Sequence, residues 1–375
     1  MTIRILHCHS TFSLCGKEAR AVRLMNAFGD RAQHVVLSAM PDRLGARDAI
    51  DKGVTVDFPG DAPSLQGKPG PVRYWKLARY MRGFDLVLTY NWGSFDAVMA
   101  RRVLGGPPLI HHEDGFNEDQ AEKLSTKRNL YRQLGLPGVF RLVVPSHRLE
   151  RIARKIWHQP LERIARIPNG IALADYRKAP GDGAIPGFLR ERDEIVIGTV
   201  AGLRAVKNLP RLVRAFAAMT HKAARLVIVG EGPESERIAA EARAHGVSAR
   251  LLMPGFLPRP ADWIGHFDIF ALSSDSEQFP ISLVEAMAAG LPVVTTDVGD
   301  VSGMVADDNR PLIVGTSDEA AFAAALDSLA DQPQLRKAIG EANREKAAAL
   351  YDEGAMIAAY ARLYGEAIGR PDAFV

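Results

Sequence analysis

Two hydrophobic patterns alternate along the chain. Short runs rich in Val, Ile, Leu and Phe, bounded by Gly, Pro or Asp, read as strands buried on both faces. They fall at 3–8, 33–38, 85–89, 107–111, 141–145 and 164–167. A second series follows at 194–200, 225–230, 250–253, 267–272, 292–295 and 312–314. Between most of them lie stretches in which apolar residues recur every three or four positions, the period of an amphipathic helix. Clear examples are 17–28, 208–218, 234–245, 282–289 and 318–329. Strands alternating with helices predict βαβ units, and so parallel sheets covered by helices on both faces.

The alternation occurs twice. Between the two series, Ala179-Pro180-Gly181-Asp182-Gly183-Ala184-Ile185-Pro186-Gly187 interrupts both patterns, because Pro and Gly suit neither element interior. The predicted organisation is a domain over 1–172, a linker over 173–193 and a domain over 194–355. A C-terminal helix over 356–375 then packs back on the first domain. The tail at about 333–370, rich in Ala, Glu and Lys, reads as a long helical stretch. The predicted class is α/β, with two Rossmann-like doubly wound domains facing across a cleft. In such sheets ligands bind outside the carboxyl ends of the strands. A length of 375 residues gives each domain its own core.

Composition narrows the function classes. With 47% hydrophobic and 24% charged residues the chain is of ordinary globular type. A net charge of +3 does not argue for nucleic acid as a partner. Cys8 and Cys15 are the two cysteines, too few for a disulfide framework, and no Cys/His set has zinc spacing. Strand pattern begins at Ile3, and no apolar run is long enough to span a bilayer. The expectation is a cytoplasmic protein whose membrane contact, if any, is peripheral on the inner face.

The candidate chemistry concentrates in the second series. Glu277 and Glu285 lie in Ser276-Glu277-Gln278-Phe279-Pro280-Ile281-Ser282-Leu283-Val284-Glu285, between a strand and a helix ended by Gly290. One carboxylate falls in the loop and the other one turn inside the helix. Between them is a helix N-terminus, whose free N–H groups favour an anion. A phosphate flanked by two hydroxyl-binding carboxylates outlines a sugar-nucleotide site. Arg204 and Lys207 follow the strand at 194–200, on the same side as Glu277, where two cations would stabilise a departing diphosphate. Solvated loop cations are the alternative. Gly230, in Gly230-Glu231-Gly232-Pro233, would let backbone approach a ligand or simply make a tight turn. Phe256, after Pro254-Gly255, would hold a flat base.

In the first series, Gly16 opens the first helix and would turn backbone N–H groups toward the diphosphate. Cys15 reads as a packing residue. His111-His112-Glu113-Asp114 caps a strand. Neighbours in an extended chain point to opposite faces, so a polar wall touching sugar hydroxyls fits better than a metal site. A structural role stays open. Basic residues cluster over 123–166, from Lys123 and Lys127 through Arg132 and Arg151 to Arg166, with Tyr131, Phe140 and Trp157 interleaved. This is either a solvated helical face or a dock for an anionic membrane or a pyrophosphate-linked acceptor.

On these motifs the chain resembles, over nearly its whole length, the retaining glycosyltransferases of GT-B architecture in family GT4. The most specific piece is Glu277-x7-Glu285 followed by Ala286-Met287-Ala288-Ala289-Gly290. Ile167-Pro168-Asn169-Gly170-Ile171, Gly230-Glu231-Gly232-Pro233 and Pro254-Gly255-Phe256 support it. The resemblance implies transfer of a hexose-type sugar from a UDP- or GDP-sugar to a glycan, lipid-linked or polysaccharide-precursor acceptor, without a metal or other cofactor. It implies that Glu277 contacts the donor sugar, Glu285 binds the ribose diol, and the stretch Phe279, Ile281, Ser282 and Leu283 holds the diphosphate. Arg204 and Lys207 neutralise it, and His112, with Asp114 beside it, touches the sugar. The chain departs from the family pattern at Gly202, where an Arg is common, at Gln278, where a Gly is common, and at Ala172, where an Asp is common. Competing readings are a sugar-nucleotide binder without transfer activity, a nucleotide-sugar epimerase and a glycoside hydrolase. The hydrolase fits poorly, because its paired carboxylates do not flank an anion site.

Overall fold

The structure is a computed structural model that describes residues 2–116 and 125–375. Two compact units divide the chain. One runs to Asn169 and includes Gly354–Val375; the other is Gly170–Glu353.

The first unit contains β1 (Ile3–His9), β2 (Ala32–Ser38), β3 (Val56–Asp57), β4 (Leu86–Tyr90), β5 (Leu109–His112), β6 (Arg141–Val144) and β7 (Ile164–Arg166). They form one parallel sheet in the order β3-β2-β1-β4-β5-β6-β7. Helices α1 (Gly16–Phe28), α2 (Pro71–Met81), α3 (Phe95–Leu104), α4 (Thr126–Gly135) and α5 (His147–Lys155) connect the strands. β3 was not foreseen, because two residues leave no pattern to read.

The second unit contains β8 (Ile195–Val200), β9 (Ala224–Val229), β10 (Leu251–Gly255), β11 (Ile269–Leu272), β12 (Val293–Thr296) and β13 (Ile313–Val314). Their order is β10-β9-β8-β11-β12-β13, again parallel. The helices are α6 (Leu209–Ala218), α7 (Ser235–Ala244), α8 (Ile281–Ala288), α9 (Val301–Met304), α10 (Glu319–Asp331) and α11 (Pro333–Leu350). Successive residues feed opposite cores, as a pleated strand requires. Ile197, Leu226, Ile228 and Ile269 pack with α6 and α10. Val196, Val227 and Phe270 pack with α8 on the other face.

Two boundaries differ from expectation. The stretch 173–193 is not a free linker: Ile185 and Phe188 are buried in the core beneath α8. The helical tail divides into α11 and α12 (Glu353–Ala367), a few residues before the expected boundary at 355/356. The break lies where Ile171 N–H donates to the Tyr351 carbonyl at 3.0 Å and Glu353 N–H to the Ile171 carbonyl at 3.1 Å. A backbone that pairs sideways at 351–353 cannot also make i to i−4 bonds there.

α11 holds α8 in place. A Cβ on Gly340 would lie 2.0 Å from the Gly290 carbonyl oxygen, so the two helices meet backbone to backbone. The buried Asn343 side chain donates to the Leu291 carbonyl at 2.9 Å and accepts from Ala306 N–H at 3.0 Å. Gly340→Ala should therefore force α11 off α8 and cost roughly 1–3 kcal/mol. Denaturant unfolding at equilibrium measures this; an unchanged midpoint would show that α11 does not fix α8.

Candidate functional site

The second sheet reverses its winding between β8 and β11. Connections after these strands leave in opposite directions, which opens a crevice at their carboxyl ends. The loop 201–208 and the loop 273–280 meet there. Asp275 N–H donates to the Val206 carbonyl at 2.8 Å, and Ser273 Oγ to the Lys207 carbonyl at 3.1 Å. Arg211, on α6, donates to the Ser273 carbonyl at 2.9 Å and pairs with Asp275 at 2.7 Å. These bonds fix two loops that carry opposite charges.

Lys207 Nζ lies 2.5 Å from Glu277 Oε1. Ser274 Oγ donates to the same oxygen at 2.7 Å. Glu277 is buried, and the Lys207 side chain is 16% exposed. Gly299, at φ +64°, permits this: a Cβ there would stand 2.4 Å from the Glu277 carbonyl oxygen. The pair is thus a shielded cation and anion with a route to solvent through the lysine. Arg204, on the same loop, is exposed and has no ion pair among the described residues.

α8 begins at Ile281 behind Pro280, with no side-chain cap. Leu283 N–H turns back to the Pro280 carbonyl at 3.2 Å, and Leu283 itself is buried. Ile281 and Ser282 are half-buried. Their N–H groups belong to the orphan set of a helix start. One turn further, Glu285 Oε1 accepts from Tyr176 Oη at 3.1 Å. Phe279 meets Tyr351 edge to face at 5.6 Å. Phe256 is 63% exposed after β10, and its N–H faces Glu231 Oε1 at 3.4 Å.

Gly230 lets backbone approach backbone. A Cβ there would lie 1.9 Å from the Ala201 carbonyl oxygen, and one on Gly232 would lie 2.4 Å from that of Leu203. The freed space is filled by the neighbouring loop, so these glycines stack the loop 230–234 on the loop 201–207. Leu203 N–H donates to the Glu231 carbonyl at 2.8 Å in that stack. Ser274 and Tyr176 were missed in the sequence, because a lone hydroxyl has no spacing to betray it.

In the first unit the polar residues turn inward. His112 is 1% exposed. Its Nδ1 bonds the Thr89 carbonyl at 3.1 Å and its Nε2 bonds Tyr364 Oη, on α12, at 2.9 Å. Both ring nitrogens are therefore bonded to protein groups. Asp114 makes a bidentate pair with the buried Arg20, and its own N–H is held by Asn91 Oδ1 at 2.7 Å. Arg20 also donates to Asn169 Oδ1 at 2.9 Å. Glu113 pairs with Arg132 at 2.9 Å, where both side chains are 1% exposed. These bonds fit the structural role that the sequence left open for this segment. Gly16 does open α1, behind Cys15, which makes no side-chain cap. Cys15 is exposed, not packed.

The basic stretch divides. Lys123 lies outside the described residues. Arg132 and Trp157 are interior, with the guanidinium 4.8 Å from the indole centroid. Arg166 pairs with Glu150 at 3.3 Å. Lys127, Arg154 and Lys155 are exposed.

Comparison with known proteins identifies the family. Residues 185–346 match the family model of glycosyl transferases group 1, and residues 14–175 match that of glycosyltransferase family 4. The chain belongs to the family 4 (group 1) glycosyltransferases. A D-inositol 3-phosphate glycosyltransferase of Thermobispora bispora is 26% identical over 348 residues, 87% of this chain and 79% of that one. The chain spans about half the length of another relative, a Bacillus subtilis protein named as a glycosyltransferase, EpsF. There it is 30% identical over 212 residues, 53% of each chain. Among solved structures, Anabaena HepE in complex with UDP superposes with a TM-score of 0.80 at 17% identity. It covers 97% of this chain and 100% of that one. Sucrose-phosphate synthase of Thermosynechococcus elongatus gives 0.78 at 19%, covering 98% and 99%. At such identities the likeness is one of fold, the two Rossmann-like domains of GT-B architecture.

The chain departs from the family pattern at Gly202 and Gln278. The nearest atom to a Cβ on Gly202 would be Arg204 Nε at 3.7 Å, so the Arg204 side chain lies back along the backbone at Gly202. Gln278 Oε1 is buried without a hydrogen-bond partner, directly beside Glu277.

Histidines in the first sheet also set a pH response. His7 Nε2 bonds His34 Nδ1 at 3.0 Å, His7 Nδ1 bonds Tyr90 Oη at 3.2 Å, and His9 stacks on Tyr90 at 4.0 Å. Burial, then neighbouring positive charge, pushes His7, His9 and His112 well below the usual imidazole range; burial lowers His34 to about 4. The unfolded chain takes up these protons below pH ~6.5 while the folded one does not. Stability is thus complete above the unfolded value and is lost as pH falls from about 6.5 toward 4, at roughly 1.4 kcal/mol per pH unit per histidine. Glu18 and Asp96, raised by burial, act in the opposite sense. The test is therefore a difference: the melting temperature should fall less between pH 7.5 and 5 in His34→Asn than in the parent. Equal slopes would refute the assignment.

Proposed function

We propose that this protein transfers a hexosyl group from a UDP- or GDP-sugar to a glycan, lipid-linked or polysaccharide-precursor acceptor, with retention at the anomeric carbon. The observation that carries the reading is the Lys207–Glu277 pair beside the uncapped start of α8, with Glu285 one turn inside. As the bond from the anomeric carbon to the phosphate oxygen breaks, negative charge grows on the diphosphate. Lys207, Arg204 and the N–H groups of Ile281 and Ser282 oppose that charge more in the transition state than in the ground state. No metal is needed, since fixed cations and amides supply the compensation. Glu277, held by Ser274 and Lys207, orients the sugar hydroxyls; Glu285, steadied by Tyr176, takes the ribose diol. The departing phosphate oxygen accepts the proton of the attacking hydroxyl on the same face, so no separate base is required. In this reading Phe256 stacks on the base. Peripheral membrane contact belongs to it too, through the exposed part of 123–166.

A thermal-shift screen of nucleoside diphosphates identifies the base, because a ligand bound only by the folded state raises its apparent stability. Lys207→Ala should lower kcat by about 10²–10³-fold, the size of losing one preorganised charge donor, and activity should persist in EDTA. NMR of the product should show the anomeric configuration of the donor. Unchanged transfer by Lys207→Ala, or turnover of an aryl glycoside without nucleotide, would reject the mechanism.

A further inference from the structure

The first unit carries an apolar groove that no part of this chemistry uses. Val72, Tyr74 and Trp75 on α2, Val103 and Leu104 on α3, and Tyr131 on α4 line a space of about 670 Å³. Val72 is 68% exposed, Trp75 53% and Val103 62%. Leu134, one turn beyond Tyr131 and 53% exposed, continues the apolar surface along α4. So many large apolar side chains gathered on one surface mark a contact site rather than scatter.

The charge around the groove is one-sided. No Asp or Glu occurs between 62 and 84 or between 125 and 149. α3 carries Asp96, which is neutralised by Arg73 at 2.6 Å. Lys68, Lys76, Arg79 and Arg82 are exposed and without ion pairs among the described residues. Arg79 lies 5.4 Å from the Trp75 ring centroid, so a cation borders the exposed aromatic of the groove.

We propose that α2, α3 and α4 form a face that docks on an anionic lipid bilayer, with Trp75, Val72 and Val103 entering the headgroup–acyl boundary. This rests on the glycosyltransferase reading only in giving a lipid-linked acceptor a place to be met. Apolar side chains supply the burial, and the surrounding cations meet anionic headgroups. Trp and Tyr suit this boundary, having an apolar body and a polar edge. A second copy is a poor occupant, because pairing this face with itself would set cation against cation. No helix among the described residues is long and apolar enough to cross a membrane, so the contact is peripheral.

The full chain should sediment with vesicles of equal phosphatidylglycerol and phosphatidylcholine, and not with phosphatidylcholine alone. Binding should weaken as salt rises. Trp75→Ser combined with Val103→Ser, and separately Lys68→Glu with Lys76→Glu, should each lower the partition at least tenfold. Because these side chains are exposed, both variants should keep the parental melting temperature and its shift by the nucleoside diphosphate found above. No binding to anionic vesicles, or binding undiminished in both variants, would overturn the proposal. So would dimerisation at micromolar concentration that Trp75→Ser abolishes. A retained nucleotide shift in any of these cases would leave the glycosyltransferase reading standing.

Discussion

The site depends on one topological constraint. A parallel sheet whose strand order reverses must send consecutive connections to opposite faces, and the strand ends at the reversal stay uncovered. In the second unit the reversal lies between β8 and β11. Each local feature there follows from it. Two loops run side by side because their strands pair directly, Ile269 beside Ile197 and Phe270 beside Gly198. Lys207 and Glu277, 70 positions apart in sequence, can then meet. α8 starts against the same gap, so its unpaired N–H groups face the crevice rather than a core.

The first sheet has the same reversal, between β1 and β4, but spends its polar groups differently. Arg20 is closed by Asp114 and Asn169, and Arg132 by Glu113 and a ring of aromatic side chains. Buried ions of this kind give little net stability, because desolvation offsets their attraction, yet removing one partner leaves a costly orphan. Their effect is to fix geometry. His112, bonded to Tyr364, ties the centre of this sheet to α12. A polar cluster at the carboxyl end of a parallel sheet is therefore not by itself a ligand site.

Much of the architecture was legible because strands buried on both faces leave an apolar run, and crossover helices leave a 3.6-residue period. Both signals are local. Glu277 and Glu285 could be placed for the same reason: strand, loop and helix start are adjacent in sequence. What could not be read were partners set by folding. Nothing in His111-His112-Glu113-Asp114 reveals that Arg132, Tyr364 and Arg20 lie opposite. Nothing around Gly230 reveals that the Ala201 carbonyl occupies the room it leaves. The division of 333–370 depended on a pairing with Ile171, far away in the chain. The basic stretch 123–166 was only partly legible for a related reason: sequence shows charges in line, whereas Arg132 and Trp157 point inward. Most of the one-sided face lies on α2 and α3, outside that stretch.

Burial and pairing separate the charges that hold the protein together from those left to meet something else. A buried cation already matched by an acid cannot turn to a ligand without leaving that acid unpaired. Arg20, Arg132 and Arg211 are of this kind: each is at most 10% exposed as a side chain and paired with an acid. Arg204 and the cations beside Trp75 are the opposite, exposed and without acid partners among the described residues. Lys207 stands between: it has one bond to Glu277 and an ammonium that can donate three. An anion arriving at the start of α8 would find donors unspent there, while the Lys207–Glu277 bond could remain. Glu277 would then stay fixed as charge changes beside it. An acid meant to orient hydroxyls, rather than to trade protons, benefits from that constancy.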